Sequence, residues 1–462
     1  MRELLEKING IVWGVPGVCM ILSVGMYYTV RTGAAQIRLF PKALRTFLRQ
    51  FGAEGDTGGI SGYQALCTAL AATVGTGNLA GVAGAICIGG PGAVFWMWIC
   101  GFFGMIIKAA EATLAVRYRK KDRLGNYVAG PMYMIEMGMG KKWRWLAVLY
   151  SFFGIFACFG VGNATQINAA LDSIESVALQ FQFPLPAWFH LALGLFAAVL
   201  IITVLKGGAQ GIGRAAEKLV PFAAAGYLLL GVFVLIIKAD KIPAALNMIV
   251  RGAFLPKAVT GGMVGSFFLS LRTGAARGVF TNEAGMGTAA IAHGASIVKD
   301  PIEQGLMGII EVFIDTIVIC TVTALVVVLS GITETAGGLE AFSSNGAAAA
   351  AAFNAILPGI VGGTVIQIGI IFFALSSILS WTYYGERCLG YLTGNNKGIN
   401  IVYKVVFVGI CIVGTTGSGK VMWNISDTLN GLMALPNLLA ILLLSDVVAK
   451  MTEDYFNKNV IK

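Results

Sequence analysis

Long apolar runs alternate with short basic stretches along this chain. Eleven such runs are readable, at about 11–30, 62–88, 93–116, 146–171, 188–205, 215–237, 258–271, 304–330, 359–385, 400–418 and 424–449. A spanning helix needs about 20 predominantly apolar residues, which most of these approach or exceed. The pattern predicts an all-α polytopic membrane protein with 11 transmembrane helices. One run falls short: 258–271 has 14 residues, opens on Ala258-Val259-Thr260-Gly261-Gly262, and meets Arg272 and a glycine-rich polar stretch, 273–296.

Within 62–88 the string Ala71-Ala72-Thr73-Val74-Gly75-Thr76-Gly77-Asn78 places two glycines and three polar side chains where a spanning helix should be at mid-membrane. Each glycine costs about 1 kcal/mol relative to alanine in a helix interior, so the helix is expected to unwind there. Loose backbone at that depth is tolerated only where protein or a watery cavity surrounds it. Run 258–271 reads as a second broken helix. With the first helix set aside, ten runs fall into two sets of five, each opening on an interrupted element. An odd number of helices per set makes the halves inverted, the pattern of secondary transporters that bind at the repeat interface. The expected divisions are 1–61 (an extra N-terminal helix and cytoplasmic linker), 62–237 and 258–449 (the two repeats), and 450–462 (a cytoplasmic tail).

Composition agrees: 57% of residues are apolar and only 12% charged, against about 25% charged in soluble proteins. Mean hydropathy is +0.78. Run 11–30 follows acidic residues and is too long for a signal peptide, so it reads as a retained helix. A net charge of +10 would point to nucleic acid in a soluble chain; here it reflects basic loops. With the N-terminus outside, 25 Lys and Arg fall on the inner side and seven outside, which by the positive-inside bias puts the C-terminus in the cytoplasm. The eight cysteines are scattered without a CxxC pair, so neither a disulfide framework nor a zinc site is expected. No cofactor, nucleic acid or obligate protein partner is indicated.

Candidate chemistry sits on a few polar residues in apolar runs. Asn163 and Gln166, spaced i,i+3, share a helix face and either tie helices together or meet a polar ligand. Ser376, Ser377, Ser380 and Trp381 form a polar patch in 359–385. The serines either bond their own helix or, facing the unwound carbonyls of 71–75, supply uncharged oxygens suited to sodium. Lys108 and Glu111 are expected to pair, since a lone charge at mid-membrane costs at least about 2.5–3.5 kcal/mol. Glu311 and Asp315, one turn apart, are candidate proton-relay groups, with gating or packing as the alternative. The outer loop 331–358, with Glu334, Glu340 and six alanines, is either a cap or a connector. Gly414-Thr415-Thr416-Gly417-Ser418-Gly419-Lys420-Val421 imitates a phosphate loop, but Val421 stands where a hydroxyl must hold magnesium. His190 and His293 cannot form a metal site alone, and no nucleophile elbow is visible; catalysis is not expected.

Longer strings carry a resemblance. Gly89-Gly90-Pro91-Gly92-Ala93-Val94-Phe95-Trp96-Met97-Trp98, Ala72-Thr73-Val74-Gly75-Thr76-Gly77-Asn78-Leu79-Ala80-Gly81, Gly130-Pro131-Met132-Tyr133, Arg277-Gly278-Val279-Phe280-Thr281-Asn282-Glu283-Ala284-Gly285-Met286-Gly287 and Tyr383-Tyr384-Gly385-Glu386-Arg387 resemble the alanine or glycine:cation symporter family. The resemblance implies a leucine-transporter-like 5+5 inverted repeat with one extra N-terminal helix, and sodium-coupled symport of alanine or glycine across the plasma (inner) membrane. It implies substrate contacts from Thr73, Gly75, Thr76, Gly77, Asn78, Gln166, Ser377 and Trp381, with Phe268 or Phe280 closing the side-chain pocket and Phe267 a further option. Sodium would sit among Ala71, Val74, Ser376 and Ser377. The alternatives are proton coupling, a larger substrate such as glutamine, and, from a different class, a membrane-embedded enzyme.

Overall fold

A computed structural model describes residues 2–53, 59–122, 125–254, 263–332, 342, 344–357, 359–415 and 419–460. After a short N-terminal helix come α1 (Val15–Arg31) and α2 (Phe40–Gln50). The next group is α3 (Gly62–Thr73), α4 (Val82–Gly89), α5 (Ala93–Arg117), α6 (Arg144–Phe159), α7 (Thr165–Gln180), α8 (Trp188–Leu205) and α9 (Gly208–Ile237). Helix α10 (Ile242–Phe254) leads to α11 (Met263–Asn282), α12 (Thr288–Gly294), α13 (Pro301–Val312), α14 (Cys320–Ser330) and α15 (Asn345–Ile356). The last four are α16 (Val361–Thr393), α17 (Lys397–Gly414), α18 (Gly419–Leu443) and α19 (Ser445–Val460). Among the described residues, eight helices are long and apolar enough to cross a bilayer, and up to ten spans result if each sharply bent pair is one.

Packing repeats between the halves. Helix α5 packs on α13, α6 and α7 on α16, and α8 on α17, so elements at the same place in each set of five meet one another. The contact of α9 with α16 is matched by that of α18 with α6. This pairwise exchange is what an internal repeat of five helices produces. Helices α5 and α13 are buried along most of their length. In contrast, α8, α9 and α17 carry outward Val199, Leu229 and Val405 at 65–74% exposure, a lipid-facing surface.

Three expectations change. The seventh run does not end at 271: α11 continues through Arg272 and Arg277 to Asn282, and the chain breaks at 283–287. Both arginines therefore belong to a helix rather than to an inner loop. Second, run 424–449 stops at Leu443 and bends by 57° into α19, whose Phe456 and Tyr455 rings lie beneath Arg38 and Lys42. The tail is thus a helix folded back under the body. Third, Lys108 does not pair with Glu111; its partner is described below. Ala258–Gly262, Glu334, Glu340, Thr416–Ser418, and Arg123, Lys257 and Lys462 of the basic tally lie outside the described residues. In the outer loop, α15 packs its alanines against α4, α14 and α16, with Ala348, Ala349 and Ala352 fully buried.

Candidate functional site

A capping box starts α3: Ser61 accepts from the Gln64 amide and the Gln64 side chain accepts from the Ser61 amide. The helix ends at Thr73, Val74 turns extended (ψ 92°), and the two halves meet at 51°. Asn78 holds the break open. Its Oδ1 accepts from the Gly75 amide at 2.9 Å, and its Nδ2 donates to the Asp315 carboxylate at 2.7 Å. Thr323 caps the Asn78 carbonyl at 2.9 Å. Among the described residues the amides of Thr76 and Gly77 have no backbone partner. They stand at the start of the second helix half, where the helix dipole favours an anion. Thr73 instead turns its hydroxyl to Ala69 of its own helix, and Thr76 is buried at the break.

Opposite the break runs α16. Ser377 donates to the Ala71 carbonyl at 2.9 Å and Ser380 to the Thr68 carbonyl at 2.8 Å, whereas Ser376 donates to Phe373 of its own helix at 2.8 Å. The serines meeting α3 are therefore 377 and 380, spaced i,i+3. The close approach depends on Gly75, where an added Cβ would lie 3.2 Å from the Ser377 hydroxyl. Ser377 and Ser380 thus set uncharged hydroxyls against the carbonyls of Ala71 and Thr68 on the last turns of α3. Such a set suits a small hard monovalent cation.

Among the wide π-helical turns, Gly77–Gly81 packs on Phe313–Ile319, and Gly160–Ala164 packs on α16. Such turns frequently mark functional sites. Asn163, within the Gly160–Ala164 turn, and Gln166, just past it, part company. Asn163 donates to the Phe407 carbonyl of α17 at 2.6 Å, an interhelical tie. Gln166 donates to Val161 at 3.1 Å and keeps its Oε1 buried without a partner among the described residues. That lone acceptor suits an ammonium group. Trp381 is fully buried against Gly162, where any Cβ would collide with the indole, so it packs directly on that turn. Phe280 lies beside Gly77, with its ring 3.8 Å from an added Cβ there. Trp13 meets Phe280 edge-on at 5.9 Å.

Phe268 does not belong to this group. It is 53% exposed on α11 and stacks edge-on with Phe267, which in turn meets Trp96.

The second break is organised by charge. Glu111 accepts from the Gly285 and Gly287 amides at 2.9 and 3.2 Å and from Asn437 at 2.6 Å. Gly285 and Gly287 adopt φ of 92° and 77°, the region only glycine enters without strain. Lys108 instead pairs with Glu311 at 2.9 Å, both fully buried. Glu311 also accepts from His293, whose other ring nitrogen accepts from Gln304 at 2.6 Å. With both nitrogens engaged, His293 has no nucleophile to activate. Glu311 is committed to ion pairing, whereas Asp315 faces the first break.

A family model described as the sodium:alanine symporter family matches residues 1–461. The sodium/alanine symporter AgcS of Methanococcus maripaludis is 41% identical over 455 residues, covering 98% of this chain and 97% of that protein. The probable sodium/glutamine symporter GlnT of Bacillus subtilis is 35% identical over 462 residues, covering 98% and 91%. In structure the chain is similar to MhsT in complex with L-phenylalanine, with a TM-score of 0.57 at 16% identity over 85% of this chain and 90% of that one. At that identity the likeness speaks for the fold.

Proposed function

The chain belongs to the sodium:alanine symporter family, and from that premise we propose that it carries alanine or glycine together with sodium by alternating access. It is a multi-pass membrane transporter rather than an enzyme. The reading rests on one observation above others: the break at 74–76 presents free amides at one side and carbonyl oxygens beside Ser377 at the other. The amides of Thr76 and Gly77 hold the substrate carboxylate, the free Gln166 oxygen meets its ammonium group, and Phe280 limits the side chain. Sodium joins the end of α3 to α16 through Ala71, Val74, Ser376 and Ser377. Because it fixes the break in the shape that binds substrate, sodium raises substrate affinity, and substrate raises sodium affinity by the same factor.

The repeats run 62–237 and 258–449 about this site, in the plasma (inner) membrane with the N-terminus outside. The basic side of the molecule supports that orientation, even with Arg272 and Arg277 moved into α11.

The deciding experiment is uptake of labelled alanine into proteoliposomes under imposed sodium, potassium or proton gradients. Accumulation driven by sodium alone and competed by glycine is expected. Uptake driven only by protons would overturn the cation site and shift attention to Asp315. A second reading, glutamine transport, is favoured by the GlnT likeness, and glutamine competing better than glycine would select it. In the same assay Ser377→Ala is expected to raise the sodium concentration for half-maximal uptake about tenfold, a loss near 1.4 kcal/mol. Gln166→Ala is expected to raise the alanine KM with little change in the sodium requirement. An unchanged sodium requirement in Ser377→Ala would remove that residue from the cation site.

A further inference from the structure

Away from the transport site, a groove of about 430 Å³ opens on the lipid-facing surface where α8, α9 and α16 meet. Phe196, Val204, Leu219, Phe222, Phe372 and Leu379 contribute to its apolar wall, and Lys218 is the charged residue that lines it. Phe222 and Phe372 meet edge-on at 6.2 Å and narrow the groove toward mid-membrane. From Phe196 to Val204 the wall rises about 12 Å along α8, close to the roughly 15 Å depth of hydrocarbon in one leaflet.

The charged end has a definite chemistry. Lys218 is exposed, Arg214 lies one turn before it on α9, and Lys206 follows the last residue of α8. The Arg214 guanidinium reaches to within 3.6 Å of the Cβ position of Gly207, so it folds over the α8–α9 turn. The adjacent acid does not neutralise them: Glu217 points inward and accepts from Gln64 at 2.9 Å. Three cations thus stand at the headgroup end of an apolar slot one leaflet deep. Basic pockets between transmembrane helices on the cytoplasmic side are suited to anionic headgroups.

We propose that this groove is a binding site for one anionic glycerophospholipid, its acyl chain against Phe196, Phe222 and Phe372 and its phosphate among Lys206, Arg214 and Lys218. The lipid lies behind the stretch of α16 that carries Ser376, Ser377 and Ser380, and braces α9, which packs on both α3 and α16. The site does not depend on which amino acid is carried; its assignment to the inner leaflet rests on the orientation given above.

The test uses the full-length transporter, purified and delipidated in detergent, titrated with phosphatidylglycerol or phosphatidylcholine of the same acyl chains and read by native mass spectrometry. Phosphatidylglycerol is expected to bind at least tenfold tighter. The triple substitution Lys206→Ala, Arg214→Ala and Lys218→Ala should remove that preference, and Lys218→Arg should keep it. Ala215→Phe, filling the groove, should weaken both lipids. Equal binding of the two lipids by the parent, or an undiminished preference in the triple variant, would overturn the proposal. So would a second copy of the chain occupying the groove, seen as a dimer that excludes lipid. A phosphatidylglycerol carrying a photoreactive acyl chain gives a readout on the parent alone: crosslinks should fall within 196–204, 215–222 and 372–379, and crosslinks elsewhere would also overturn it.

Discussion

Replacing Lys108 by methionine is expected to unfold this transporter under conditions where the parent is stable. Lys108 and Glu311 are both fully buried and 2.9 Å apart, and they join α5 to α13, helices packed along their length. Removing one partner strands a carboxylate in an apolar interior, which typically costs about 3–5 kcal/mol. The measurement is thermal unfolding in detergent, followed by the loss of the monodisperse peak. Removing both charges is a different matter, because the buried carboxylate goes as well. Lys108→Met with Glu311→Gln keeps an acceptor for His293 and is expected to recover at least half of the lost stability. A double variant no more stable than the single one would show that the pair is not the source of the effect.

The second large effect falls on transport rather than folding. Asn78→Ala removes the contact with the Asp315 carboxylate and the one that fixes the Gly75 amide. The first is worth about 1.5–3 kcal/mol and the second about 1 kcal/mol, together a loss in kcat/KM of roughly 60- to 700-fold. Initial rates of alanine uptake report it, with thermal unfolding as the control that the protein is intact. The exchanged pair, Asn78→Asp with Asp315→Asn, restores an amide facing a carboxylate and should regain part of the loss. If Asn78→Ala transports within threefold of the parent, the break does not depend on this bond.

The sequence showed the first break plainly because two glycines flank Thr76 and no charge intervenes, so composition and backbone geometry agree there. The second break was placed too early. Arg272 and Arg277 end the apolar run, but they do not end the helix: Arg277 lies over the Phe280 ring at 5.5 Å, and α11 continues to Asn282. Hydropathy reads solvation, and a charged side chain with a partner escapes it. The Lys108–Glu311 pair was hidden for another reason: its members lie on separate helices, and only the tertiary fold joins them. Asn163 and Gln166 looked like one face under regular α-helical spacing; a π turn between Gly160 and Ala164 separates their roles. The identity of the pocket phenylalanine hinged on which way α11 turns, and spacing alone cannot supply that.

Those π turns bear on how this chain can change over time. A π turn amounts to an α-helix carrying one surplus residue, so each of the three represents a one-residue insertion retained in the middle of a span. Deleting Ala80, for instance, would close the wide turn and restore ordinary helix, with Val82 and Ile86, now buried, left near their present faces. What would go is the loosened backbone hydrogen bonding of the turn itself, so the surplus residue serves the mid-membrane site rather than the packing beyond it. Descendants of this chain should differ in length at their loops and keep the same count between Thr73 and Gly89.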